Sequence, residues 1–299
     1  MSRRRESSVT DETFGTLQAG HALLVYFGLS GERADRGAGR NSYTDAAISI
    51  IRDRILDLSL PPGSRIDDRI LMDRFGMGRT PAREAFNRLA AEGLIIIQRN
   101  KGAFVRPLDI QHIRQFFDAY VASERVVGYY SRIGDAELAS SLEAIERKYQ
   151  EAYAKHRFLE MTQLNARFHG RIAVATRNEY IAEHAIRLYN HARRLSYFIY
   201  LMEKASIRDI HEMQEHIKAD HDDIIETIGR GDNAKLIKIL TKHTGLFHNH
   251  VMRVISETHG ESSPLPVPLD DRRGLSPMQK PNRRAAKRSA EMGVKVRQT

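Results

Sequence analysis

The sequence predicts a mainly α-helical protein, in which a small N-terminal domain of three helices and a β-hairpin precedes an all-α antiparallel helical bundle. Two observations predict this fold class. Apolar residues recur at helical spacing over most of the 299 residues, and they do so without interruption from residue 109 to about residue 257. The one credible pair of strands lies between residues 94 and 105, where β-rich apolar segments flank a short basic turn.

Composition limits the class of protein. The chain has no cysteine, which excludes disulfides and thiolate metal sites and fits a reducing compartment. The apolar run 22–29 is too short to span a membrane, so we expect a soluble, cytoplasmic protein. The net charge of +9 is uneven: residues 43–106 carry 11 Lys and Arg against 8 Asp and Glu, residues 107–269 carry 21 against 22, and residues 270–299 carry 9 against 3. This distribution indicates phosphate binding at one end of the molecule.

The first predicted helix starts near Thr44 and ends before the breaker Leu60-Pro61-Pro62-Gly63. Its apolar residues at helical spacing are Ile48, Ile51, Ile55 and Leu58. We expect this helix to support the next two and to close the small core.

A second helix, a tight turn and a third helix follow. Gly76 stands where a C-terminal cap favours glycine, and it ends a helix whose apolar face is Ile70, Leu71 and Phe75. Thr80 is expected to cap the third helix, with Pro81 at its first position. The residues of the third helix expected to face inward are Ala82, Ala85, Phe86 and Leu89, and those expected to face outward are Arg79, Arg83, Asn87 and Arg88.

The third helix ends at Gly93, and a hairpin follows it. Its predicted strands are Leu94–Ile97 and Ala103–Val105, and the turn between them is Arg99-Asn100-Lys101-Gly102. A short helix pair whose second member carries arginines near its N-terminus fits the DNA major groove, where a guanidinium matches guanine O6 and N7. The hairpin would then be a wing. The pattern alone leaves open a small helical subdomain with solvated arginines.

The motif that runs from Phe75 to Ala85, FGMGRTPAREA, resembles the winged-helix signature of GntR-family bacterial transcription regulators. Further matching residues are Leu60-Pro61-Pro62-Gly63-Ser64, Arg88-Leu89, Glu92-Gly93-Leu94 and Lys101-Gly102-Ala103-Phe104-Val105. The resemblance covers the whole N-terminal domain and implies a winged helix-turn-helix.

Specific DNA contacts follow from this resemblance. It implies that Arg79, Thr80 and Arg83 contact DNA, assisted by Arg69 and by Asn100 at the tip of the wing. The partner would be a double-stranded operator. Because two-fold protein symmetry is mirrored in the operator, we expect a homodimer that reads a short pseudo-palindrome.

From residue 109 onward, apolar residues recur every three or four positions in six segments that short polar joins separate. Six amphipathic helices with short connections favour an antiparallel bundle. The positions that mark them are, in order, Ile110, Ile113 and Phe117; Leu138, Leu142, Ile145 and Tyr149; Leu164, Phe168 and Ile172; Ile181, Ala185, Leu188, Ala192 and Leu195; Ile217, Ile224 and Ile228; and Leu236, Ile239, Leu240, Leu246 and Phe247.

Three of the 13 histidines stand among apolar residues on predicted inner faces: His169, His221 and His243. Asn165 lies four residues before His169, so both side chains project from one face of a helix. Several buried imidazoles each need a partner, and one divalent metal ion supplies it for all of them. Separate hydrogen-bonded core histidines also explain the pattern, and the residues alone leave both interpretations open.

The region from Gln111 to Val251 resembles the FCD ligand-binding domain, which defines the FadR-type branch of the GntR family. The matching residues are Leu164-Asn165, Phe168-His169, His221, Ile228, Asp232 and His243. Many FCD domains hold a divalent metal ion with one Asp and three His. Carried over, the resemblance implies a Zn-, Ni- or Mn-like ion held by Asn165, His169, His221 and His243.

Two positions depart from the family pattern. Asn165 stands where the family has Asp, and its neutral amide leaves the site more positive, which favours an anionic effector that completes the coordination. Tyr120 stands one helical turn before Glu124, where the family often has an arginine. Where that arginine holds an effector carboxylate, Tyr120 predicts a different effector.

The leading hypothesis is therefore a ligand-responsive transcription regulator, and a repressor more readily than an activator, that a small carboxylate modulates through the bundle. One alternative is a metal-dependent enzyme tethered to DNA by the winged helix, although no carboxylate is an obvious general base near the histidines. The other is an architectural DNA-binding protein without an effector.

The predicted domains are a flexible extension at 1–42, the winged helix at 43–106, the helical domain at 109–257 and a basic tail at 260–299. The tail contains five prolines, followed by Arg283-Arg284 and Lys287-Arg288, so it cannot bury enough apolar surface to order itself. We expect it to be a solvated tail, with a salt-sensitive contact to DNA phosphates as the alternative.

Overall fold

Eight helices and one small sheet make up the described part of the chain. The structure is a computed structural model that describes residues 40–66, 78–202 and 207–258. Three features predicted from the sequence lie outside these residues: the second helix of the N-terminal domain with Arg69, most of the N-terminal extension, and the basic tail.

The N-terminal domain has the winged-helix element order. Helix α1 (Arg40–Leu56) is followed by strand β1 (Arg65–Ile66), helix α2 (Arg79–Ala91), strand β2 (Ile95–Gln98) and strand β3 (Gly102–Val105). The hairpin is confirmed, but β1 joins it in an antiparallel sheet of order β1-β3-β2. The sequence did not predict β1, because a strand of two residues has no alternation to detect.

The packing of this domain follows the predicted inner face of α2. All four residues predicted to face inward, Ala82, Ala85, Phe86 and Leu89, are buried. They pack against apolar residues of α1 and the sheet in a core separate from that of the bundle. At one edge of this core Arg52 donates two hydrogen bonds to Glu92, of 2.7 and 2.6 Å. This buried ion pair joins α1 to the end of α2.

Three local predictions are wrong. Helix α2 begins at Arg79 with extended Gly78 as its N-cap, and no side chain caps it, so Thr80 lies inside the helix and Pro81 is its third residue. Proline is tolerated there because N–H groups of the first turn have no partner within the helix. Leu58 lies beyond the end of α1, with φ 61°, and packs in the bundle core. Helix α1 also begins at Arg40, inside the predicted flexible extension.

Six helices form the C-terminal domain, as predicted. They are α3 (Ile110–Tyr130), α4 (Ala136–Ala154), α5 (Phe158–Val174), α6 (Glu179–Met202), α7 (Ile207–Arg230) and α8 (Asn233–Thr258). The carboxylates of Asp109 and Asp135 accept hydrogen bonds from main-chain N–H groups and so cap α3 and α4. Helix α5 packs between α4 and α6, while α8 packs on α3 and α7.

The bundle has one continuous apolar core to which all six helices contribute. Inside the described residues, no helix is both long enough and apolar enough to span a membrane. The structure thus has two packed units, and α6 contacts both, because α1 of the winged helix packs against it.

Candidate functional site

The first candidate site is the outer face of α2. Arg79, Thr80, Arg83 and Asn87 are all exposed. Arg88, also predicted to face outward, instead donates hydrogen bonds to Asp45 at 2.8 Å and to Glu84 at 2.7 Å. Those carboxylates neutralise Arg88 within the domain. The arginines available to an incoming phosphate or base on this helix are therefore the two at its N-terminal end.

The wing provides a second basic surface. Asn100 is exposed and has φ 61°, and Gly102 has φ 101°, which together make the tight turn between β2 and β3. The guanidinium of Arg65 lies beside the turn, since a Cβ added at Gly102 would lie 3.5 Å from Arg65 Nε. Arg65 is thus a DNA-contact candidate that the sequence analysis missed, because its placement depends on β1.

The second candidate site lies inside the bundle. His169 on α5, His221 on α7 and His243 on α8 converge, and their ring centroids are separated by 5.7, 5.3 and 5.2 Å. One nitrogen of each ring lies within 4.8 Å of the corresponding nitrogens of the other two. The side chains are 1%, 0% and 8% exposed, so the cluster lies away from water. The structure brings together the three histidines selected from the sequence.

A carboxylate faces the Nδ1 atom of each imidazole. His221 Nδ1 lies 2.7 Å from Glu146 Oε2, His243 Nδ1 lies 3.2 Å from Asp220 Oδ2, and His169 Nδ1 lies 3.8 Å from Glu124 Oε2. An ionised carboxylate only accepts hydrogen bonds, so Glu146 and Asp220 hold the proton on Nδ1 of His221 and His243 and leave their Nε2 atoms free to bind a metal ion.

Three carboxyl groups that the sequence analysis did not select therefore lie beside the histidines, and they face the Nδ1 atoms of the rings. Glu124 and Glu146 occupy inner-face positions among apolar residues of α3 and α4. These positions on apolar helix faces could have identified both residues from the sequence, because a buried glutamate requires a partner.

The electrostatics keep His169 and His243 in the neutral state that metal binding needs. Burial and the neighbouring imidazoles lower the pKa of His169 well below its usual value. Burial also lowers the pKa of His243, although the bond to Asp220 opposes that shift. Burial alone would raise the pKa of Asp220, but the contacts with His243 and Lys242 hold it at about 2. His169 and His243 are consequently neutral near pH 7.

Glu124 differs from the other two carboxylates. It is fully buried, and burial raises its pKa to about 8, an effect that the nearby Tyr189 hydroxyl offsets only in part. Within the described residues neither of its oxygens has a partner in hydrogen-bond geometry. Glu124 is therefore largely protonated near pH 7, while Glu146 and Asp220 are ionised, since the pKa of Glu146 is lowered by its bond to His221 despite burial.

The residues fit a divalent metal ion. His169 Nε2, His221 Nε2 and Asn165 Oδ1 are buried, and none has a hydrogen-bond partner among the described residues. Buried polar atoms are almost always paired in native proteins, so several unpaired donor atoms in one place indicate a missing common ligand. Imidazole nitrogens suit zinc, nickel and similar ions, and a carbonyl oxygen can supply a fourth ligand. Asn165 lies one helical turn before His169, as predicted.

A cavity of about 300 Å³ adjoins the cluster. His243 and Asn165 line it, so a molecule inside the cavity reaches the edge of the histidine cluster. Exposed residues, among them His216 and Arg253, also line it and open it to solvent. His216 is not part of the cluster and lies in the cavity wall.

Helix α6 connects this cavity to the winged helix. Four of its residues line the cavity: Ala192, Ser196, Ile199 and Tyr200. Three others contact the main chain of the N-terminal domain. His191 Nε2 lies 3.0 Å from Glu92 O, and Arg194 and Arg187 donate to Arg106 O and Ala91 O at 2.7 and 3.5 Å. One helix thus contacts both the cavity and the N-terminal domain.

Comparison with known protein families gives matches to two domains along the chain. Residues 44–105 match the family model of bacterial regulatory proteins of the gntR family, and residues 124–245 match the FCD domain. The Nta operon transcriptional regulator of Aminobacter aminovorans is 29% identical over 158 residues, or 52% of this chain and 72% of that protein. The gluconate operon transcriptional repressor of Bacillus licheniformis is 26% identical over 194 residues, or 64% and 77%.

Solved structures show the same fold. A GntR-type structure from Rhodococcus sp. RHA1 superposes with a TM-score of 0.58 at 19% identity, covering 72% of this chain and 99% of that one. E. coli McbR/YncC gives a TM-score of 0.55 at 16% identity, covering 71% and 97%. With the two domain matches in the predicted order, the chain belongs to the GntR family of bacterial transcription regulators, in the branch that carries an FCD domain, and is a regulator and not an enzyme.

Proposed function

We propose that this chain is a homodimeric repressor that releases a pseudo-palindromic operator when a small carboxylate binds in a metal-containing bundle. The observation that carries the proposal is the cluster of three buried histidines, each backed by a carboxylate and adjoining a cavity that a small molecule can fill. The relatives named as repressors include that of the gluconate operon and GlaR of E. coli, which favours repression over activation here.

DNA binding is assigned to the exposed end of α2. Arg79, Thr80 and Arg83 project from its first five residues, where a recognition helix meets base edges. Asn100 and Arg65 would follow the backbone from the wing. Base contacts provide sequence specificity, whereas phosphate contacts fix the position of the protein on the DNA. We therefore assign specificity to the first group, the residues of α2, and positioning to the second group, the residues of the wing. Arg69 is assigned to the second group by family resemblance alone.

Metal binding is assigned to Asn165, His169, His221 and His243. A bound divalent ion would supply a Lewis-acid centre that an anionic effector can join. The protein supplies the rest: Glu146 and Asp220 orient the imidazoles of His221 and His243, and burial keeps His169 and His243 neutral. Asn165 is neutral, whereas an aspartate at this position would add one negative charge. The site is therefore more positive than it would be with aspartate, which favours binding of a carboxylate.

Helix α6 is the proposed route from effector to DNA. Its cavity-lining residues recur at helical spacing, at positions 192, 196 and 199. Its contacts to the winged helix also recur at helical spacing, at positions 187, 191 and 194. The helix therefore has two stripes of residues, a first that lines the cavity and a second that contacts the winged helix. A ligand that shifts the first stripe must move the second, since the helix is rigid. Only a ligand whose affinity differs between the two arrangements can change the DNA affinity.

The proposal is tested by measuring operator affinity with the full chain, using a fluorescent DNA fragment selected from random sequence. We expect specific binding that small carboxylates weaken and that a chelator makes insensitive to them. Equal affinity for selected and random DNA would favour the architectural alternative. Specific binding that neither acids nor a chelator alter would remove the effector and metal parts of the proposal.

A further inference from the structure

The wall of the cavity indicates which acids bind there. We infer that the effector is a monocarboxylate with an aromatic or branched apolar body, and not a polyhydroxy acid. The inference rests on the proposed function, because it specifies the ligand of the same cavity. Three features support it: the apolar walls, the internal hydrogen bonds of the polar wall groups, and the unpaired polar atoms at one end.

Apolar and aromatic side chains from α3, α4, α5, α6, α7 and α8 form most of the wall. They are Tyr120, Tyr149, Met161, Ile199, Tyr200, Met213, Ile217, Leu246 and Phe247. Aromatic rings and flexible methionines give large contact area to a flat or branched apolar group. Ligand cavities of this kind hold an apolar body and orient it with a few polar groups.

Most polar groups in the wall are already hydrogen-bonded within the protein. Tyr149 Oη donates to Gln214 Oε1 at 2.6 Å, and Gln214 Nε2 donates to Tyr200 Oη at 2.8 Å. Thr162 Oγ1 donates to a main-chain oxygen, and Asp220 accepts from Lys242 and faces His243. Beside these paired groups a polyhydroxy ligand would find few partners for its hydroxyls, and an unpaired buried hydroxyl is strongly unfavourable.

Polar atoms without partners lie at the histidine end of the cavity. Thr244 is 1% exposed, and its Oγ1 has no hydrogen-bond partner in the ranges that the structure describes. Asn165 Oδ1 shares that property, and both residues line the cavity with His243. A hydroxyl that can donate, in a cavity wall that also contains His243, suits a carboxylate at this end. The apolar body of the ligand would then extend along the tyrosines and methionines.

The volume limits the size of this ligand. About 300 Å³ is at the small end of ligand cavities, which favours one ring or a short branched chain. The probes are therefore 3-phenylpropanoate and gluconate, which carry the same carboxylate on opposite kinds of body. Gluconate is also the acid in the name of one relative's operon.

The test is calorimetric titration of the zinc-loaded full chain with each acid. We expect 3-phenylpropanoate to bind at least tenfold more tightly than gluconate. Thr244→Val should weaken 3-phenylpropanoate at least fivefold, since it removes the hydroxyl without changing the shape. The matched control is Thr227→Val, because Thr227 is 0% exposed with an equally unpaired hydroxyl but is not part of the cavity wall.

A second variant tests the apolar end. Met213→Gln replaces a cavity-lining apolar side chain by a polar one of similar length, and it should weaken 3-phenylpropanoate while leaving gluconate unchanged or tighter. Tighter binding of gluconate by the unchanged protein would overturn the inference and leave the proposed function standing. Equal losses in Thr244→Val and Thr227→Val would also overturn it. Failure of both acids to bind, together with operator affinity that no acid alters, would remove the proposed function as well.

Discussion

His191 Nε2 lies 3.0 Å from the main-chain oxygen of Glu92, which joins helix α6 of the bundle to the C-terminal end of helix α2 in the winged-helix domain. The side chain of the same glutamate is ion-paired with Arg52 of α1, 2.6 Å away. Glu92 therefore connects three helices, and any movement of α6 reaches both helices of the winged helix that pack on it.

This contact predicts a pH dependence of stability. Burial lowers the pKa of His191 to about 4 in the folded protein, whereas an unfolded histidine titrates near 6.5. Between about pH 6.5 and pH 4, His191 is therefore protonated in the unfolded chain but neutral in the folded chain. The stability is thus complete above pH 6.5 and is lost as the pH falls toward 4, by at most about 1.4 kcal/mol per pH unit, and by less since the residue is only partly buried.

Urea unfolding between pH 4 and 7 measures this effect. His191→Gln keeps a hydrogen-bond donor near Glu92 but cannot titrate, so the free energy of unfolding should fall less steeply with acid than in the unchanged protein. His184→Gln, an exposed position on the same helix, is the control and should leave the slope unchanged. Parallel slopes for both variants and the unchanged protein would show that His191 does not contribute.

Gly93 provides a second test of the same interface. Its φ is +78°, and an added Cβ would lie 3.0 Å from His191 Nε2. Gly63 has nearly the same φ, +77°, but nothing lies within 4 Å of its added Cβ. Gly63→Ala should lower the free energy of unfolding by about 1 kcal/mol through backbone strain alone. Gly93→Ala should lower it by about 2 kcal/mol, since His191 must also move. If thermal or urea unfolding gives the same loss of free energy of unfolding for both variants, His191 moves aside without a measurable cost.

The predicted fold depended on periodicity, and it was correct where periodicity is strong. Helix α2 shows this, because Ala82, Ala85, Phe86 and Leu89 are buried as their spacing indicated. Its start was misplaced at Thr80, since capping rules rank side chains and the N-cap is a glycine with no side chain. Strand β1 was missed because its two residues are held by pairing with β3, a contact that no local pattern encodes.

The candidate metal site was predictable in part for the same reason. His169, His221 and His243 stood out because each interrupts an apolar helix face. Their convergence depends on how α5, α7 and α8 pack, and only the family resemblance indicated it. The carboxylates behind them were missed, since Glu124, Glu146 and Asp220 look like ordinary charges until the rings that they contact are placed.

Arg83→Ala tests the DNA-reading face of α2. The exposed guanidinium has the position of a base contact, so its loss should weaken binding to the selected operator by about 1–3 kcal/mol and reduce discrimination against random DNA. Fluorescence anisotropy at fixed salt measures both affinities. Arg114→Ala, at an exposed arginine of α3 in the bundle, is the control and should change neither. Unchanged operator affinity in Arg83→Ala would move the recognition surface elsewhere.

His221→Ala tests the metal site. Removing one of three converging imidazoles should lower the bound metal to background when the purified chain is analysed by plasma mass spectrometry. His216→Ala is the matched control, because His216 lies on the same helix but outside the cluster, and this variant should keep its metal. Operator affinity without effector should survive in both variants. Full metal content in a folded His221→Ala protein, checked by circular dichroism, would place the ion elsewhere.

Glu146→Gln tests whether the carboxylates behind the rings tune the site. Glu146 Oε2 lies 2.7 Å from His221 Nδ1, where an ionised carboxylate fixes the tautomer and makes Nε2 a stronger donor. The amide keeps the shape but removes the charge, so metal affinity in a competition titration with a chelator should fall by about 10- to 100-fold. The exposed Glu151 lies on the same helix, and Glu151→Gln should leave the affinity unchanged. Losing the carboxylate also leaves His221 free to take the other tautomer, with its proton on Nε2. Raising the pH should therefore not restore the affinity, whereas a purely structural defect would appear as a lower melting temperature of the metal-free protein.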